Sequence, residues 1–164
     1  MSEREDELHV GMADMKTGQS PLVLSSLGLG SCVGVALYYS RLQIGGLAHI
    51  MLPDIETVKN RSNRAKFANT AIPDLVQKLE EMGAERKYLK AKLIGGAHMF
   101  GFSENNRIFN VGVRNVEKAK EIFKEMRIRL IAEDTGGNYG RSLYFCLETG
   151  EVRVRTIAHG EKVI

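Results

Sequence analysis

Short apolar runs recur along most of the chain, and their spacing predicts β-strands. A run rich in β-branched and aromatic residues covers 32–39, and a second apolar run covers 44–52. A short polar turn over 40–43 separates them and Pro53 follows, so we expect a β-hairpin that ends at this proline. The other predicted strands cover 9–14, 22–24, 89–94 and 129–134, with a final hairpin over 142–148 and 151–157.

One long segment has the periodicity of an amphipathic helix instead. Apolar residues recur at helical spacing over 67–82, Asn63 is a suitable N-cap, and Gly83 is a suitable C-terminal stop. Pro73 lies within the segment and lacks a backbone N–H. We therefore expect either a kink at Pro73 or a helix that begins near Thr70.

A second helix is predicted after Asn115, which could cap it. Its buried stripe consists of Val116, Ala119, Phe123 and Met126. Many short strands with two main helices, and no strict strand–helix alternation, favour an α+β layered sandwich over a doubly wound sheet. We expect one domain over 1–164, with a flexible charged leader over 1–8.

Composition and charge narrow the class of protein. The chain has 164 residues, of which 43% are hydrophobic and 26% charged, and this is typical of a soluble globular domain. The net charge is +3, but acidic and basic residues alternate, so nucleic acid is not indicated as a partner. No signal peptide or apolar run of membrane-spanning length is evident, and two unlike cysteines indicate a reducing compartment. We expect a cytoplasmic protein with no membrane insertion.

The candidate chemistry centres on Cys32, which follows the glycine-rich segment Gly28-Leu-Gly-Ser31. Such a corner can leave backbone N–H groups free to stabilise a thiolate and an oxyanion, so Cys32 is a candidate nucleophile. The simplest alternative is a buried small hydrophobic residue on a core strand. A dinucleotide-binding loop is the other alternative, but Val33 replaces the third glycine of that pattern and a strand follows instead of a helix.

His49 is a polar residue within the apolar run that pairs with the Cys32 strand in the predicted hairpin. Hairpin register brings residues near 32 opposite 49–51, so the imidazole could reach the thiol and transfer its proton. Ser25 or Ser26, on the approach to the glycine-rich segment, could orient that imidazole, although serines before a turn commonly serve only the turn. No histidine or cysteine spacing supports a metal site.

Several motifs in one order closely resemble the chemoreceptor glutamine deamidase family, CheD, over nearly the whole chain. His49 follows Cys32 by seventeen positions, as in that family. The motifs are Gly28-Leu-Gly-Ser-Cys-Val33, Ala48-His-Ile-Met-Leu-Pro53, Arg64-Ala-Lys-Phe-Ala-Asn69, Gly95-Gly-Ala-His-Met-Phe100, Val111-Gly-Val-Arg-Asn115, and Glu133-Asp-Thr-Gly-Gly137 with Gly140-Arg141.

The resemblance implies a sandwich with mixed β-sheets, similar to the catalytic domain of cytotoxic necrotising factor toxins. It implies a catalytic set of Cys32, His49 and Ser26, where Ser26 replaces the family's threonine. It also implies glutamine deamidation on methyl-accepting chemotaxis receptors without a metal or organic cofactor, and in some bacteria a partnership with the phosphatase CheC. Residues expected to form the oxyanion hole or the pocket are Gly30, Ser31, Gly95, Gly96 and Thr135. The alternative function is mainly to bind receptors or CheC, with weak catalysis.

Overall fold

A computed structural model describes residues 6–99 and 110–164 of the chain. These residues form ten strands and two α-helices, joined by turns and short 3₁₀ segments. The helices are α1 Ala68–Glu81 and α2 Val111–Met126. The strands are β1 Glu7–His9, β2 Asp14–Gln19, β3 Val23–Leu29, β4 Val33–Tyr39, β5 Ile44–Ile50, β6 Lys90–Gly95, β7 Arg129–Thr135, β8 Arg141–Cys146, β9 Val152–Thr156 and β10 Gly160–Val163.

The strands form two five-stranded sheets. The first has the order β1-β3-β8-β9-β10, and the second has the order β2-β5-β4-β6-β7. Each sheet is mixed, because β1 pairs with β3 in parallel, as β6 does with β7, and the other pairs are antiparallel. The expected α+β class with mixed sheets and two main helices is therefore confirmed.

The molecule has three layers, since the second sheet is covered on one face by the first sheet and on the other by both helices. Side chains between the sheets form one core, which includes Leu24, Leu47 and Phe145. The second core lies between the helices and the second sheet, and it includes Leu75 and Phe123. Because β4 and β5 are central strands buried on both faces, they lack a polar face, which explains their nearly continuous apolar sequences.

The β4–β5 hairpin is confirmed, with Val33 opposite Ile50 and Gly34 opposite His49. A 3₁₀ turn over Ser40–Leu42 connects the strands, and Gln43 adopts a left-handed backbone conformation. The hairpin thus fixes the relative position of the two strand ends at which the candidate nucleophile and base lie.

Several predicted boundaries differ from the structure. Helix α1 begins at Ala68, close to the predicted start near Thr70, while Asn63 caps the preceding 3₁₀ segment Arg64–Lys66 instead of the helix. The expected flexible leader is wrong for Glu7 and Leu8, which pair with β3 in strand β1. The predicted strand over 9–14 is interrupted, because His9 ends β1, Asp14 begins β2, and residues 10–13 connect the two strands with a turn at 12–13. Residues 1–5 of the leader lie outside the described residues, and so does Phe100 of the motif Gly95-Gly-Ala-His-Met-Phe100.

The start of the second helix was also wrongly predicted. Asn110 caps α2 through a hydrogen bond from the Val113 N–H to its side chain, and the helix begins at Val111. Asn115 therefore lies inside the helix, where it is fully buried. None of the helices in the described ranges is long and apolar enough to span a membrane.

Candidate active site

Cys32 lies where the chain passes from the first sheet to the second. Strand β3 ends at Leu29 and β4 begins at Val33, so the glycine-rich segment makes the crossing between the two layers. The Cys32 side chain belongs to the core between the sheets and is 8% exposed. The thiol is thus nearly buried but not sealed from solvent.

His49 faces the same space between the sheets. It pairs with Gly34 in the ladder that begins at Val33, and Cys32 directly precedes that ladder and belongs to the core between the sheets. The position that a Gly34 side chain would take is filled by the side chains of Leu143 and Leu29. The predicted juxtaposition of residues 32 and 49–51 is confirmed by this register.

Ser26 approaches His49 from the opposing sheet. Its Oγ atom lies 2.7 Å from Nδ1 of His49 and 2.7 Å from the main-chain oxygen of Val10, and all three groups are buried. A carbonyl oxygen can only accept, so the Ser26 hydroxyl donates its proton to Val10. Its oxygen then accepts the Nδ1–H of His49, which assigns the proton of the neutral imidazole to Nδ1.

The other ring nitrogen of His49 is left as a proton acceptor. Nε2 is buried and has no hydrogen-bond partner among the described residues. With the proton on Nδ1, the Nε2 lone pair is available to accept a hydrogen bond or a proton from a donor in the site. The arrangement can therefore act as a general base whose orientation is set by Ser26.

Burial determines the resting charges of the pair. Desolvation lowers the pKa of His49 below its ordinary value, and His9 contributes in the same direction through its charge. Desolvation raises the pKa of the Cys32 thiol, and a hydrogen bond from its own backbone N–H only partly offsets the effect. Both groups are consequently neutral near pH 7. These directions favour a neutral thiol at rest, whereas the expectation was a thiolate stabilised by the glycine corner.

The structure brings the five expected pocket residues to the same end of the second sheet. Gly95 pairs with Val33 on one side and with Thr135 on the other. The N–H of Gly96 donates to the Cys32 carbonyl at 2.9 Å, so it is not free to stabilise an oxyanion, contrary to expectation. Gly30 is held nearby because its carbonyl accepts the N–H of Ala97 at 2.8 Å, and Ser31 directly precedes Cys32.

Gly95 has a structural reason to be a glycine. Its φ is +105°, and a Cβ atom there would collide with the main-chain oxygen of Cys32. The close approach of the two backbones fixes the peptide group that follows the thiol. Gly95 therefore shapes the site through backbone geometry.

Sequence reasoning missed the supporting role of Arg141. Its guanidinium is buried, donates to the Gly136 carbonyl at 2.8 Å and lies 3.4 Å from the carboxylate of Asp134. The N–H of Gly136 in turn donates to the Gly95 carbonyl at 3.0 Å. Arg141 thus holds the loop that supports the Cys32 corner. Arg141 occupies an inward position in the alternating pattern of β8. This position could have revealed its role, because a buried charged residue requires a partner.

Asn115 was also missed as a site residue. Its side-chain amide donates to the main-chain oxygens of Ser31 and Met51. The spacing of Asn115, Ala119 and Phe123 places the asparagine on the buried stripe of α2, and this spacing could have revealed it.

The fold and site together describe an α+β protein that holds a thiol and an imidazole on one strand pair and a hydroxyl on the facing sheet. The family model described as CheD chemotactic sensory transduction matches residues 51–156. A curated relative from Clostridium novyi, named probable chemoreceptor glutamine deamidase CheD, is 48% identical over 98% of this chain and 99% of its own length. A relative of the same name from Caldanaerobacter subterraneus is 48% identical over 96% of this chain and 97% of its own. The chain belongs to the CheD family.

Proposed function

We propose that this protein deamidates glutamine side chains of chemoreceptors, with Cys32 as nucleophile, His49 as general base and acid, and Ser26 as the group that orients His49. The observation that carries the proposal is the hydrogen-bond chain from the Val10 carbonyl through Ser26 to Nδ1 of His49. This chain leaves Nε2 as an acceptor on the face that Cys32 shares. The names of the relatives support glutamine as the substrate and chemoreceptors as its source.

In the first half of the reaction, the neutral thiol attacks the carboxamide carbon of glutamine while Nε2 of His49 takes the thiol proton. A carbon–sulfur bond forms, and the carbonyl oxygen becomes an oxyanion that the backbone N–H groups of Ser31 and Cys32 stabilise. The imidazolium then protonates the amide nitrogen, which leaves as ammonia. The product of this half is a thioester with neutral His49.

The second half consumes one water molecule. His49 takes a proton from the water as its oxygen attacks the thioester carbon. The tetrahedral intermediate collapses, the carbon–sulfur bond breaks, and the imidazolium returns the proton to the sulfur. The product forms as a carboxylic acid, and its proton passes through the solvent to the released ammonia. The resulting glutamate adds a negative charge and a methylation site to the receptor. All atoms and protons are supplied by glutamine and water, so the proposed cycle uses no metal or organic cofactor.

The remaining parts of the proposal follow from the family resemblance. Methyl-accepting receptors are the substrates, the reaction takes place in the cytoplasm, and CheC is a binding partner where the organism has it. The sandwich is proposed to share the fold of the cytotoxic necrotising factor catalytic domain. Gly30 and Thr135 are proposed to line the glutamine pocket, since both lie at the Cys32 end of the second sheet.

The proposal is tested by incubation of the purified protein with a receptor cytoplasmic fragment. Ammonia release and amide-to-acid conversion at defined glutamines are measured by a coupled assay and by peptide mass spectrometry. We expect both signals from the natural sequence and neither from H49A, which removes the proton-transfer group. Equal conversion by H49A would reject the assigned base.

A further inference from the structure

The side chain of Asn115 connects the two backbone segments that carry the proposed nucleophile and base. Its Nδ2 atom donates to the main-chain oxygen of Ser31 at 2.9 Å and to that of Met51 at 3.0 Å. Both amide hydrogens are used, since an NH₂ group has two to donate. The residue is fully buried in the fifth position of α2.

The two acceptors lie where the β4–β5 ladder ends. The last pair of that ladder is Val33 with Ile50, so Ser31 and Met51 both lie beyond it. The Ser31 carbonyl belongs to the peptide bond that leads into Cys32, and Met51 follows His49 by two residues. At this end of the hairpin, the β4–β5 ladder stops, and the Asn115 amide bridges the two backbone segments instead.

The backbone of α2 is held firmly against this region. A Cβ atom at Gly112 would collide with the Ala97 carbonyl, and it would lie 2.7 Å from the oxygen of Gly96. The absence of a side chain at Gly112 therefore allows the first turn of α2 to rest on the segment that also binds the Cys32 carbonyl. Asn115, one turn further along, is thereby brought within reach of both carbonyls.

The hydrogen bonds of Asn115 are incomplete in a way that argues against a role in stability alone. Its Oδ1 atom is buried and has no partner among the described residues. A buried acceptor without a donor is destabilising. Asn115 nevertheless provides two N–H donors, and both bind carbonyl groups of the site.

We propose that Asn115 is a positioning residue that sets the separation and alignment of Cys32 and His49 by joining the backbone next to each of them. This inference rests on the proposed function, because it assigns a role in the proton transfer between these two side chains. Proton transfer in the attack step requires the donor and acceptor to meet within hydrogen-bond reach, so a small displacement of one strand end slows it.

The test uses two variants and one matched control in the full chain. N115L removes both donors together with the unpartnered oxygen, and N115D keeps the side-chain shape but replaces the donor NH₂ with an acceptor. N110A is the control, since it removes the N-cap asparagine of the same helix without touching either carbonyl. Circular dichroism establishes that each variant is folded.

The first readout is the rate at which iodoacetamide alkylates Cys32 as a function of pH. Peptide mass spectrometry separates Cys32 from Cys146. In the natural sequence and in N110A, we expect the rate to rise through the pKa of His49, because the neutral imidazole assists the thiol. In N115L and N115D, we expect this inflection to be lost, so that only the ionisation of the thiol itself remains.

The second readout is deamidation of the receptor fragment. We expect kcat to fall on the order of 10²-fold in the Asn115 variants, as for a misplacement of reacting groups by about 1 Å, with KM unchanged. Folded variants that keep both the inflection and kcat overturn the proposal. If both variants fail to fold, Asn115 is a structural residue and the proposal is also overturned.

The two readouts separate this inference from the proposed function. Alkylation needs no glutamine substrate, so loss of the inflection in a protein that deamidates nothing would support the positioning role and reject the deamidase. Normal deamidation by N115L would reject the positioning role and leave the deamidase intact.

Discussion

The hydroxyl oxygen of Ser26 lies 2.7 Å from Nδ1 of His49, across the space between the two sheets. This contact joins a residue of β3 to a residue of β5, and the Val10 carbonyl fixes its direction by accepting the hydroxyl proton. The tautomer of His49 is thus determined by an oxygen that belongs to a third segment of the chain. The basic nitrogen, Nε2, is left without a hydrogen-bond partner among the described residues.

Replacement of Ser26 tests the orienting contact. In S26A, the Nδ1–H of His49 loses its acceptor, and an unpaired buried donor costs about 1–3 kcal/mol. This cost lowers the free energy of unfolding. We also expect kcat to fall about 10- to 100-fold, because His49 loses the contact that fixes its tautomer and orientation, and a positioned general base contributes roughly 10²–10⁴-fold. S26T keeps the hydroxyl and is expected to retain activity, as measured by ammonia release.

Ser25 provides the matched control for that experiment. It is the adjacent residue in β3 and equally buried, but its hydroxyl has no hydrogen-bond partner among the described residues. S25A should therefore leave both kcat and the melting temperature close to those of the natural sequence. A similar loss in S25A and S26A would show that the effect comes from packing at β3 and would reject the orienting role.

The pH dependence tests the resting charges of the pair. Burial lowers the pKa of His49 and raises that of Cys32, so the imidazole is already neutral at pH 7 and the thiol still holds its proton. Activity should fall as the pH drops through the His49 pKa, because protonation removes the base, and that midpoint should lie below about 6.5. The plateau should extend to alkaline pH until the thiol ionises.

Nitrogen NMR of His49 distinguishes this neutral pair from an ion pair. In a neutral pair, C32A leaves the His49 pKa nearly unchanged, because the thiol carries no charge. In an ion pair, the imidazole is protonated at pH 7 and loses its counter-ion in C32A, so its pKa falls steeply. The second outcome would contradict the charges inferred from burial.

Gly95 offers a test of the backbone that supports the thiol. In G95A the new methyl group meets the Cys32 carbonyl at a φ of +105°, so strain and a steric clash act together. We expect destabilisation well above the roughly 1–2 kcal/mol that a left-handed conformation alone costs an alanine. The melting temperature measured by calorimetry should fall accordingly, and the reactivity of Cys32 should change with it.

Gly136 is the control for Gly95, because it has a φ of +80° but open space around the position of a Cβ atom. G136A thus measures the cost of the backbone conformation without the clash. Equal destabilisation by G95A and G136A would mean that the contact with the Cys32 carbonyl contributes nothing.

The sequence was most informative where function depends on local geometry. Cys32 and His49 belong to one hairpin, so the turn over 40–43 and the period of a strand were sufficient to place them on adjacent strands. The hairpin does not predict the position of Ser26, because the contact of Ser26 with His49 depends on how one sheet packs on the other. The family resemblance, and not the spacing, identified it.

The predictions that the structure contradicts concern burial and contacts between residues far apart in the sequence. Asparagine is a residue type that commonly caps helices, but the side chain of Asn115 instead binds carbonyl groups 84 and 64 positions away in the sequence. The charge of Cys32 depends on how completely the two sheets exclude water. This burial cannot be predicted from a glycine-rich segment. Glu7 and Leu8 belong to the charged segment that we expect to be flexible, but their backbone pairs with β3 and Leu8 packs against the core between the sheets.

The most direct test of the account is conversion of receptor glutamines by the natural sequence and by C32A, followed by peptide mass spectrometry. C32A removes only the sulfur of a residue that is 8% exposed, so the fold should be retained and can be verified by circular dichroism. The account predicts conversion of specific glutamines to glutamate by the natural sequence and none by folded C32A. Glutamate formation by C32A at the natural rate would contradict it.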